Sequence, residues 1–480
     1  MNEILNVGRP ELCGRAVIYT SVPEINRDNI LKVINAALPA FQANSAQCTY
    51  LYNYYCGIQP ILARTKKYND HINNKVVVNR ANEIVSFKTG YLMGEPIQYI
   101  SRNEDEKVSD NIRKLNDDMF TEDKDAQDKE LADWFSICGT SYRLVLPREN
   151  YRKDSGESSV RLFTLDPRQT FVVYSNRVNR RPMLGVITVQ DENGDKISTC
   201  YTDRECYTIK NYTEILSIQG HLMRDVPIIE YPANKQRMGE FEVVIDLLDA
   251  INEMESNRLD GIGQFIQSLM VFKGVDVEDD AFQQAKELGG VCVPPDGDVK
   301  YIAQELNQSQ AQVLADALYQ EILTICGMPN RNGGSSTSDT GSAVLLRDGW
   351  SSAETKARNT ESIFKSSEKK ALKIMIRIMN TREGTDFNLA DIEIRFTRRN
   401  YENIQAKSQV LLQMLSTPKI HPLLAFEHSG MFSDANLAYK MSMDNYAKVL
   451  EDEEKELREG ITPDEEVEDE AEAQVAEEEE

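Results

Sequence analysis

The sequence has 480 residues, 41% of them hydrophobic and 28% charged, which is the balance of an ordinary globular protein. The formal net charge is −24, but residues 451–480 alone hold 17 acidic and 2 basic residues, so the first 450 residues carry only −9. A protein that grips nucleic acid over its whole surface needs clustered Lys and Arg and is excluded, whereas a protein that surrounds nucleic acid and lets it slide is not.

Several other classes of protein are also disfavoured. The sequence has no long uncharged apolar run and no signal peptide pattern, so we expect no membrane segment. Its eight cysteines lack CxxC spacing and predict reduced thiols, and its four histidines predict no metal site and no cofactor. Because GxxxxGK[ST], HExxH and GxSxG motifs are missing, we do not expect an enzyme.

The first half of the chain predicts helices followed by a β-rich region. Apolar residues recur at spacings of three and four within 28–94, which indicates helices. The charged stretch 101–130 predicts solvated helix and loop. Over 140–232 the apolar period becomes two, as in half-buried strands. Within this region Asn193-Gly194 predicts a hairpin turn with two positive φ angles.

The second half predicts two long helices with a short segment between them. Residues 239–267 carry an apolar stripe at the helical period. A second helix over 309–328 ends at Gly327 shortly before Pro329, a common pair of stop signals. The intervening segment 268–308 predicts a small α/β unit.

The C-terminal part predicts further helices and then a disordered tail. A third long helix and a strand are expected within 358–400, and more helices within 401–458. The last segment, 459–480, is almost entirely Glu, Asp and Ala and cannot bury enough apolar surface to become ordered.

An acidic stripe runs along the first long helix. It consists of Glu242, Asp246, Asp249, Glu253 and Asp260. At 100° per residue these positions fall within about 60° of one another, and the stripe has almost no basic partners on its helix. Two interpretations remain open: an ordinary solvated helix face, or an anionic wall that repels phosphates and lets DNA pass when copies stack in a ring.

The third long helix carries a row of basic residues, one at every fourth position. It consists of Lys365, Lys369, Lys373 and Arg377. Residues 347–382 hold nine basic and four acidic residues. The row is either a surface helix stabilised by pairs such as Glu361 with Lys365, or a basic belt that contacts DNA or a neighbouring subunit.

A polar connector joins the second and third long helices. Residues 330–342 contain no apolar side chain, which is typical of a functional loop or of a flexible linker. The residues of interest here are Asn332, Gly333, Gly334, Ser335, Ser336 and Asp339, together with Trp350 further on.

Five stretches, taken in this order, carry a resemblance to a known family. They are NRANEIVSFKTGYLMGEPIQY (79–99), Leu165-Asp166-Pro167 with FVVY (171–174), the stretch 226–262 with its Asp-Ala-Ile-Asn centre, TGSAVL (340–345) and IEIRFTRRNYEN (392–403). Together they resemble the portal proteins of tailed bacteriophages, of the type found in long-tailed phages of Gram-positive bacteria. Thr340 stands where that family often has Ser.

The resemblance implies an α+β, mainly helical portal fold arranged as a dodecameric ring around a DNA channel. The implied parts are a wing (1–236, helical over 28–94 and β-rich over 140–232), a stem helix (239–267), a clip (268–308), a second stem helix (309–328), a tunnel-loop region (329–357), a wing helix and strand (358–400), a crown (401–458) and the acidic tail (459–480). The acidic stripe would then line the channel, and the connector residues with Trp350 would belong to the tunnel loop.

The resemblance also implies a role and partners. The ring would sit at one capsid vertex of the virion, after assembly in the host cytoplasm, and would serve DNA packaging, retention and ejection. It would contact double-stranded DNA, the terminase large subunit, a head-completion or adaptor protein, and the major capsid and scaffolding proteins, but no membrane. Another structural capsid or head–tail connector protein is the alternative.

Overall fold

The computed structural model describes both helices and strands over most of the chain. The described residues are 10–66, 71–102, 106–153, 156–266, 269–273, 298–302, 308–330, 349–386, 388–398, 404–432 and 435–459. They belong to two units, the larger containing the described residues up to 398 and the smaller those from 404 onward. With 51% helix and 18% strand, the α+β class is confirmed.

The N-terminal helical region is interrupted rather than continuous. Strand β1 (Ile18–Thr20) precedes helix α1 (Ile30–Tyr55), and helix α2 (Arg80–Leu92) follows a short 3-10 turn at Pro60–Ala63. Helix α1 ends at Tyr55, shortly before Gly57, which adopts a φ of +89°.

The charged stretch after strand β2 (Gln98–Ser101) forms two helices, α3 (Glu106–Thr121) and α4 (Lys124–Cys138). The expectation of solvated helix and loop is wrong for the start of α4. Lys124 and Asp128 are each only 3% exposed. These charges are buried because they pair with each other and with charges on other elements.

Eight strands follow between residues 140 and 232. They are β3 (Thr140–Pro147), β4 (Val160–Leu165), β5 (Thr170–Ser175), β6 (Pro182–Gln190), β7 (Lys196–Tyr201), β8 (Glu205–Lys210), β9 (Glu214–Gly220) and β10 (Ile228–Pro232). A six-stranded sheet has the order β1-β5-β6-β7-β8-β9, in which only the β1–β5 pair is parallel. A second sheet has the order β10-β3-β4.

The hairpin predicted at Asn193-Gly194 connects β6 to β7, but its turn chemistry differs from the prediction. Of the two residues only Gly194 has a positive φ, +83°. Two adjacent positive φ angles occur instead in the hairpin between β8 and β9, at Asn211 (φ 50°) and Tyr212 (φ 60°). The Asp191 carboxylate accepts hydrogen bonds from the backbone N–H groups of Asn193 and Asp195 and closes a longer turn. In this turn Asn193 does not need a positive φ.

The remaining elements of the larger unit include two long helices and a third, longer one. They are α5 (Ile245–Ile266), β11 (Leu269–Lys273), β12 (Asp298–Ile302), α6 (Gln308–Cys326), α7 (Trp350–Arg382) and β13 (Ile392–Arg395). Strands β11 and β12 pair antiparallel, as do β13 and β2. None of the helices in the described ranges is long and apolar enough to cross a membrane.

The smaller unit consists of three helices in its described part. They are α8 (Ile404–Leu415), α9 (Pro422–Ser429) and α10 (Ala435–Glu459). Helix α10 is 25 residues long and exposes Tyr446, Val449 and Leu450. The acidic tail predicted over 459–480 lies outside the described residues apart from Glu459, which ends α10.

Helix α1 contributes to two apolar clusters of the larger unit along one buried face. Ile30, Ile34 and Phe41 pack on the six-stranded sheet. Further along the helix, Leu51 and Tyr54 belong to a second cluster that includes residues of α2, α5 and α6. The first part of this face packs on the sheet and the last part on the long helices, so α1 connects the two.

A buried group of charges holds α7 against α4 and β3. Glu368 of α7 is fully buried, 3.2 Å from the Lys124 ammonium and 3.3 Å from the Arg143 guanidinium. Both cations also contact Asp128, at 2.6 and 2.5 Å. Burial alone would raise the pKa of Glu368, but Lys124 and Arg143 outweigh burial and lower it to about 2. The group contains two acidic and two basic side chains, so its formal charges balance.

A second buried carboxylate lies where α3 meets the end of α7. Asp118 is 8% exposed, and its Oδ2 has no hydrogen-bond partner in the described part of the chain. Burial and, secondly, the negative charge of Glu383 raise its pKa to about 7, although Lys114 opposes the rise. Lys114 lies 2.5 Å from the Glu383 carboxylate.

We expect Asp118→Asn to raise the thermal unfolding midpoint at pH 8 and to change it much less at pH 5. The folded chain holds the Asp118 proton up to about pH 7, whereas the unfolded chain loses it near pH 4. Stability from this group is therefore complete below about pH 4 and lost as the pH rises to about 7. Asp117→Asn, on the exposed side of the same turn, is the control. Equal shifts for the two variants would contradict the assignment.

Candidate functional site

The first long helix is anchored at its beginning by a buried ion pair. Glu242 lies in a 3-10 turn just before α5, and its carboxylate is 2.6 Å from the Arg15 guanidinium. The N–H groups of Gly14 and Gly239 also donate to this carboxylate. A Cβ at Gly14, whose φ is +86°, would lie 2.0 Å from the carbonyl oxygen of Gln236, so only glycine fits there.

The far half of α5 is anchored by a second buried carboxylate. Asp260 is 2% exposed, and its carboxylate accepts from Arg64 at 2.9 Å and from the backbone N–H of Asn74 at 2.7 Å. Lys66 also contacts it. Burial raises the pKa of Asp260, but Lys66, Asn74 and Arg64 together lower it to about 2.

The segment before α2 follows α5 through a ladder of side-chain hydrogen bonds. Three backbone N–H groups of the segment donate to three polar side chains of α5. The pairs are Asn74–Asp260, Val76–Ser256 and Val78–Asn252, at 2.7, 3.0 and 2.8 Å. Two residues of extended chain span about 6.6 Å and four residues of helix about 6 Å, so every second N–H meets every fourth helical side chain.

The predicted acidic stripe is therefore split. Two of its carboxylates have basic partners outside their own helix, because Glu242 pairs with Arg15 and Asp260 with Arg64 inside the larger unit. Position on the helix wheel could not reveal this, since the partners come from segments about 200 residues away. The side chains of Asp246 and Glu253 are exposed.

The middle of the stripe retains some exposed negative charge but is not free of contacts. Asp249 is half-buried and accepts a hydrogen bond of 2.8 Å from the Tyr54 hydroxyl. The Glu253 carboxylate is 50% exposed and lies 3.1 Å from Arg64. That Asp246, Asp249 and Glu253 line a channel stays a prediction.

Helices α5 and α6 are buried near the larger unit's core and exposed further away. Ile245, Leu248 and Ile322 belong to one buried cluster. Beyond it, apolar side chains face solvent. They are Leu259 (46% exposed) and Ile262 (42%) on α5, and Val313 (70%) and Leu314 (53%) on α6. The apolar face predicted for α5 is thus buried only over its first part.

Of the predicted tunnel-loop residues, the structure describes Trp350 alone. Trp350 is the first residue of α7, directly after Gly349, whose φ is +84°. Its ring lies 6.2 Å from that of Phe87 and 5.9 Å from that of Tyr91, both on α2. The other six lie outside the described residues: Asn332, Gly333, Gly334, Ser335, Ser336 and Asp339.

The basic row on α7 is mostly paired within the chain. Lys365 is 2.6 Å from Glu361. Lys373 and Arg377 both contact Asp225, at 3.0 and 3.1 Å. Lys369 is exposed, and the described ranges contain no acidic partner for it. Lys373 and Arg377 therefore help to hold α7 in place, whereas the Lys365 pair lies within the helix itself.

Sequence reasoning missed the residues that fix α5 to its neighbours. The signal was present, because Asn252, Ser256 and Asp260 are polar residues at steps of four along a helix. Asn252 and Ser256 are fully buried, which composition alone does not reveal. Polar groups buried at a helical period require partners on a facing segment.

Comparison with known proteins identifies the family of this chain. The sequence pattern of the family described as "Phage portal protein, SPP1 Gp6-like" matches residues 37–459. This chain belongs to that phage portal protein family. It is also similar to the portal protein of Bacillus phage SPP1, with 21% identity over 446 residues that cover 86% of this chain and 83% of the relative.

The portal family is a structural family rather than an enzymatic one. The match covers both units, since it extends from α1 to the last residue of α10. The matched residues also include the segment between β11 and β12 and the connector after α6. The alternative of another capsid or head–tail connector protein is not favoured.

Proposed function

We propose that this portal protein assembles into a ring of twelve copies around a DNA channel at one capsid vertex. The family match over residues 37–459 carries this proposal. The ring works mechanically and catalyses no reaction: it admits the genome during packaging, retains it and releases it at ejection. It assembles in the host cytoplasm and stays in the virion.

The exposed apolar side chains on the long helices support association of copies. Leu259 and Ile262 on α5 and Val313 and Leu314 on α6 lie near the ends of the helices that are joined through β11 and β12. Large apolar surface rimmed by polar residues is typical of protein interfaces. In the ring, these side chains pack against the stem of the neighbouring copy.

Helices α5 and α6 form the stem, and the segment 268–308 forms the clip. The clip docks the terminase large subunit and later the head-completion or adaptor protein. Residues 1–236 and 358–400 form the wing and 401–458 the crown, which together meet the major capsid and scaffolding proteins. The antiparallel β11–β12 pair at the end of the stem supports a compact clip.

The channel-facing groups proposed are the exposed carboxylates of α5 and the tunnel loop within 329–357. Asp246 and Glu253 have exposed side chains that could face a polyanion. Like charge keeps DNA from adhering to the wall. Lys369, which has no acidic partner in the described ranges, is the basic-row residue best suited to contact DNA or a neighbouring subunit.

Negative-stain electron microscopy of the purified full chain tests the ring. We expect particles with twelve-fold symmetry and a central hole. A monomer, or a six-fold ring without a channel, would contradict the proposal.

A further inference from the structure

The loop between β5 and β6 forms an exposed, basic hairpin tip. Its residues 176–181 read Asn-Arg-Val-Asn-Arg-Arg, and all of them are exposed. The side chains of Arg177, Arg180 and Arg181 have no acidic partner in the described ranges. The basic row on α7 differs in this respect, since most of its cations pair with carboxylates of the chain. The charge of the hairpin tip is therefore available to a ligand.

A second turn adds positive charge at the same end of the six-stranded sheet. Because β5, β6, β7 and β8 pair antiparallel in sequence, the β5–β6 and β7–β8 turns lie at one end of the sheet. The second turn contributes Arg204, whose guanidinium lies 3.9 Å from Glu24. The two turns together hold four arginines and a single carboxylate, Asp203. In a chain with a net charge of −24, this end of the sheet is locally suited to an anion.

Hydrogen bonds hold the hairpin tip in one conformation. The backbone N–H of Arg180 donates to the carbonyl of Arg177 at 2.9 Å, which closes a four-residue turn. The Arg181 guanidinium donates to the carbonyl of Pro23 at 3.2 Å. Arg180 has a φ of 42°, a left-handed conformation that Gly or Asn adopts more easily. The turn therefore carries a cation where another residue would cause less strain, and it presents its charges already ordered.

We propose that this hairpin tip binds the phosphates of double-stranded DNA outside the channel. The ends of a four-residue turn lie within about 7 Å of each other, and each DNA strand carries one phosphate per about 3.4 Å of helix axis. The guanidinium groups of Arg177, Arg180 and Arg181 can therefore meet neighbouring phosphates of one duplex. Val178, which is fully exposed between them, can enter the minor groove as other apolar wedges do. The proposal depends on the proposed function for the identity of the polyanion, but not on the ring.

Closed circular DNA tests this site, because a circle without ends cannot thread through a ring. The full chain should bind a relaxed closed circular plasmid in a filter-binding assay at about 50 mM salt. A triple variant with Arg177→Gln, Arg180→Gln and Arg181→Gln should bind at least about tenfold more weakly. The slope of log affinity against log salt should become shallower by about 2.7 for every copy that touches the plasmid, since each phosphate contact contributes about 0.9.

Two further variants identify the chemistry of the ligand. Lys at the same three positions should keep the plasmid affinity within about threefold, because Lys binds phosphate as a point charge. The matched control removes three positive charges from exposed positions elsewhere in the chain and should leave binding unchanged; it combines Lys153→Gln, Lys235→Gln and Lys419→Gln. All variants should keep the thermal unfolding midpoint of the unmodified chain, since the replaced side chains are exposed.

Several results would overturn the proposal. They are no plasmid binding by the unmodified chain, an unchanged salt slope in the Gln variant, and equal weakening by the matched control. A polyglutamate peptide is the second probe. If the Gln variant loses polyglutamate binding but keeps its plasmid affinity, the hairpin tip belongs to an acidic protein contact and the DNA assignment is wrong. The assay needs no assembled ring, so a chain that stays monomeric would contradict the ring and still allow this site to be tested.

Discussion

Replacing Glu368 by Gln is expected to lower the free energy of unfolding by about 3–5 kcal/mol, because breaking a buried ion pair leaves uncompensated charge in the core. Glu368 neutralises Lys124 and Arg143, neither of which is more than 3% exposed. Without it, these two cations share the single carboxylate of Asp128.

The neutral hydrogen bonds to Glu368 cannot make up for this loss. The hydroxyls of Tyr99 and Tyr231 each donate to its carboxylate at 2.6 Å. Gln retains one acceptor oxygen and adds two N–H donors, and the Arg143 guanidinium nearby has no acceptor to offer them. The defect therefore combines an unbalanced charge with unsatisfied donors.

Denaturant unfolding of the two chains measures the effect. Glu393→Gln is the matched control, since its carboxylate is 44% exposed and pairs with Arg395 at 3.6 Å. A surface pair of this kind contributes about 0–1 kcal/mol. A loss for Glu368→Gln no larger than that of the control would mean that the buried charges do not hold α7 in place.

The sequence allowed the class of the fold to be predicted because apolar periodicity reflects local burial. The period of two over 140–232 corresponds to strands β3 to β10, and the period of 3.6 after residue 239 corresponds to α5. Charged positions were the main source of error. In α4, six of fifteen residues are charged, yet Asp128 lies in the core because it pairs with Lys124 and Arg143, which both also contact Glu368 of the distant helix α7.

The candidate site could be predicted only in part, for the same reason. The five acidic positions of the predicted stripe are equivalent on a helix wheel, but tertiary contacts divide them, and Glu242 lies in the 3-10 turn before α5. Glu242 and Asp260 are buried and form ion pairs with Arg15 and Arg64, respectively. Asp246 and Glu253 are exposed. A single sequence contains no information on which carboxylate meets which distant arginine.

This division decides how the channel proposal is best tested. We expect the double variant Asp246→Lys and Glu253→Lys to form rings normally but to package at least about tenfold less DNA at low salt. Both side chains are exposed, and the half-exposed ion pair of Glu253 with Arg64 contributes about 0–1 kcal/mol. Lysines at these positions in every copy would turn a repulsive wall into one that holds phosphates. Binding of this kind weakens steeply with salt, so packaging should partly recover as the ionic strength rises.

The control variant, Glu192→Lys with Glu214→Lys, reverses the charge of two carboxylates at the six-stranded sheet instead. Both are exposed and lie near the ends of β6 and β9, so the change in net charge is the same and only its location differs. Nuclease-protected DNA from an in vitro packaging reaction is the measurement, with ring formation checked by electron microscopy. Packaging at the unmodified level by the Asp246 and Glu253 variant at low salt would remove α5 from the channel wall. Equal losses in both variants would attribute the defect to net charge rather than to the channel. Neither result would affect membership of the portal family, since that depends on the match over residues 37–459 and not on these two carboxylates.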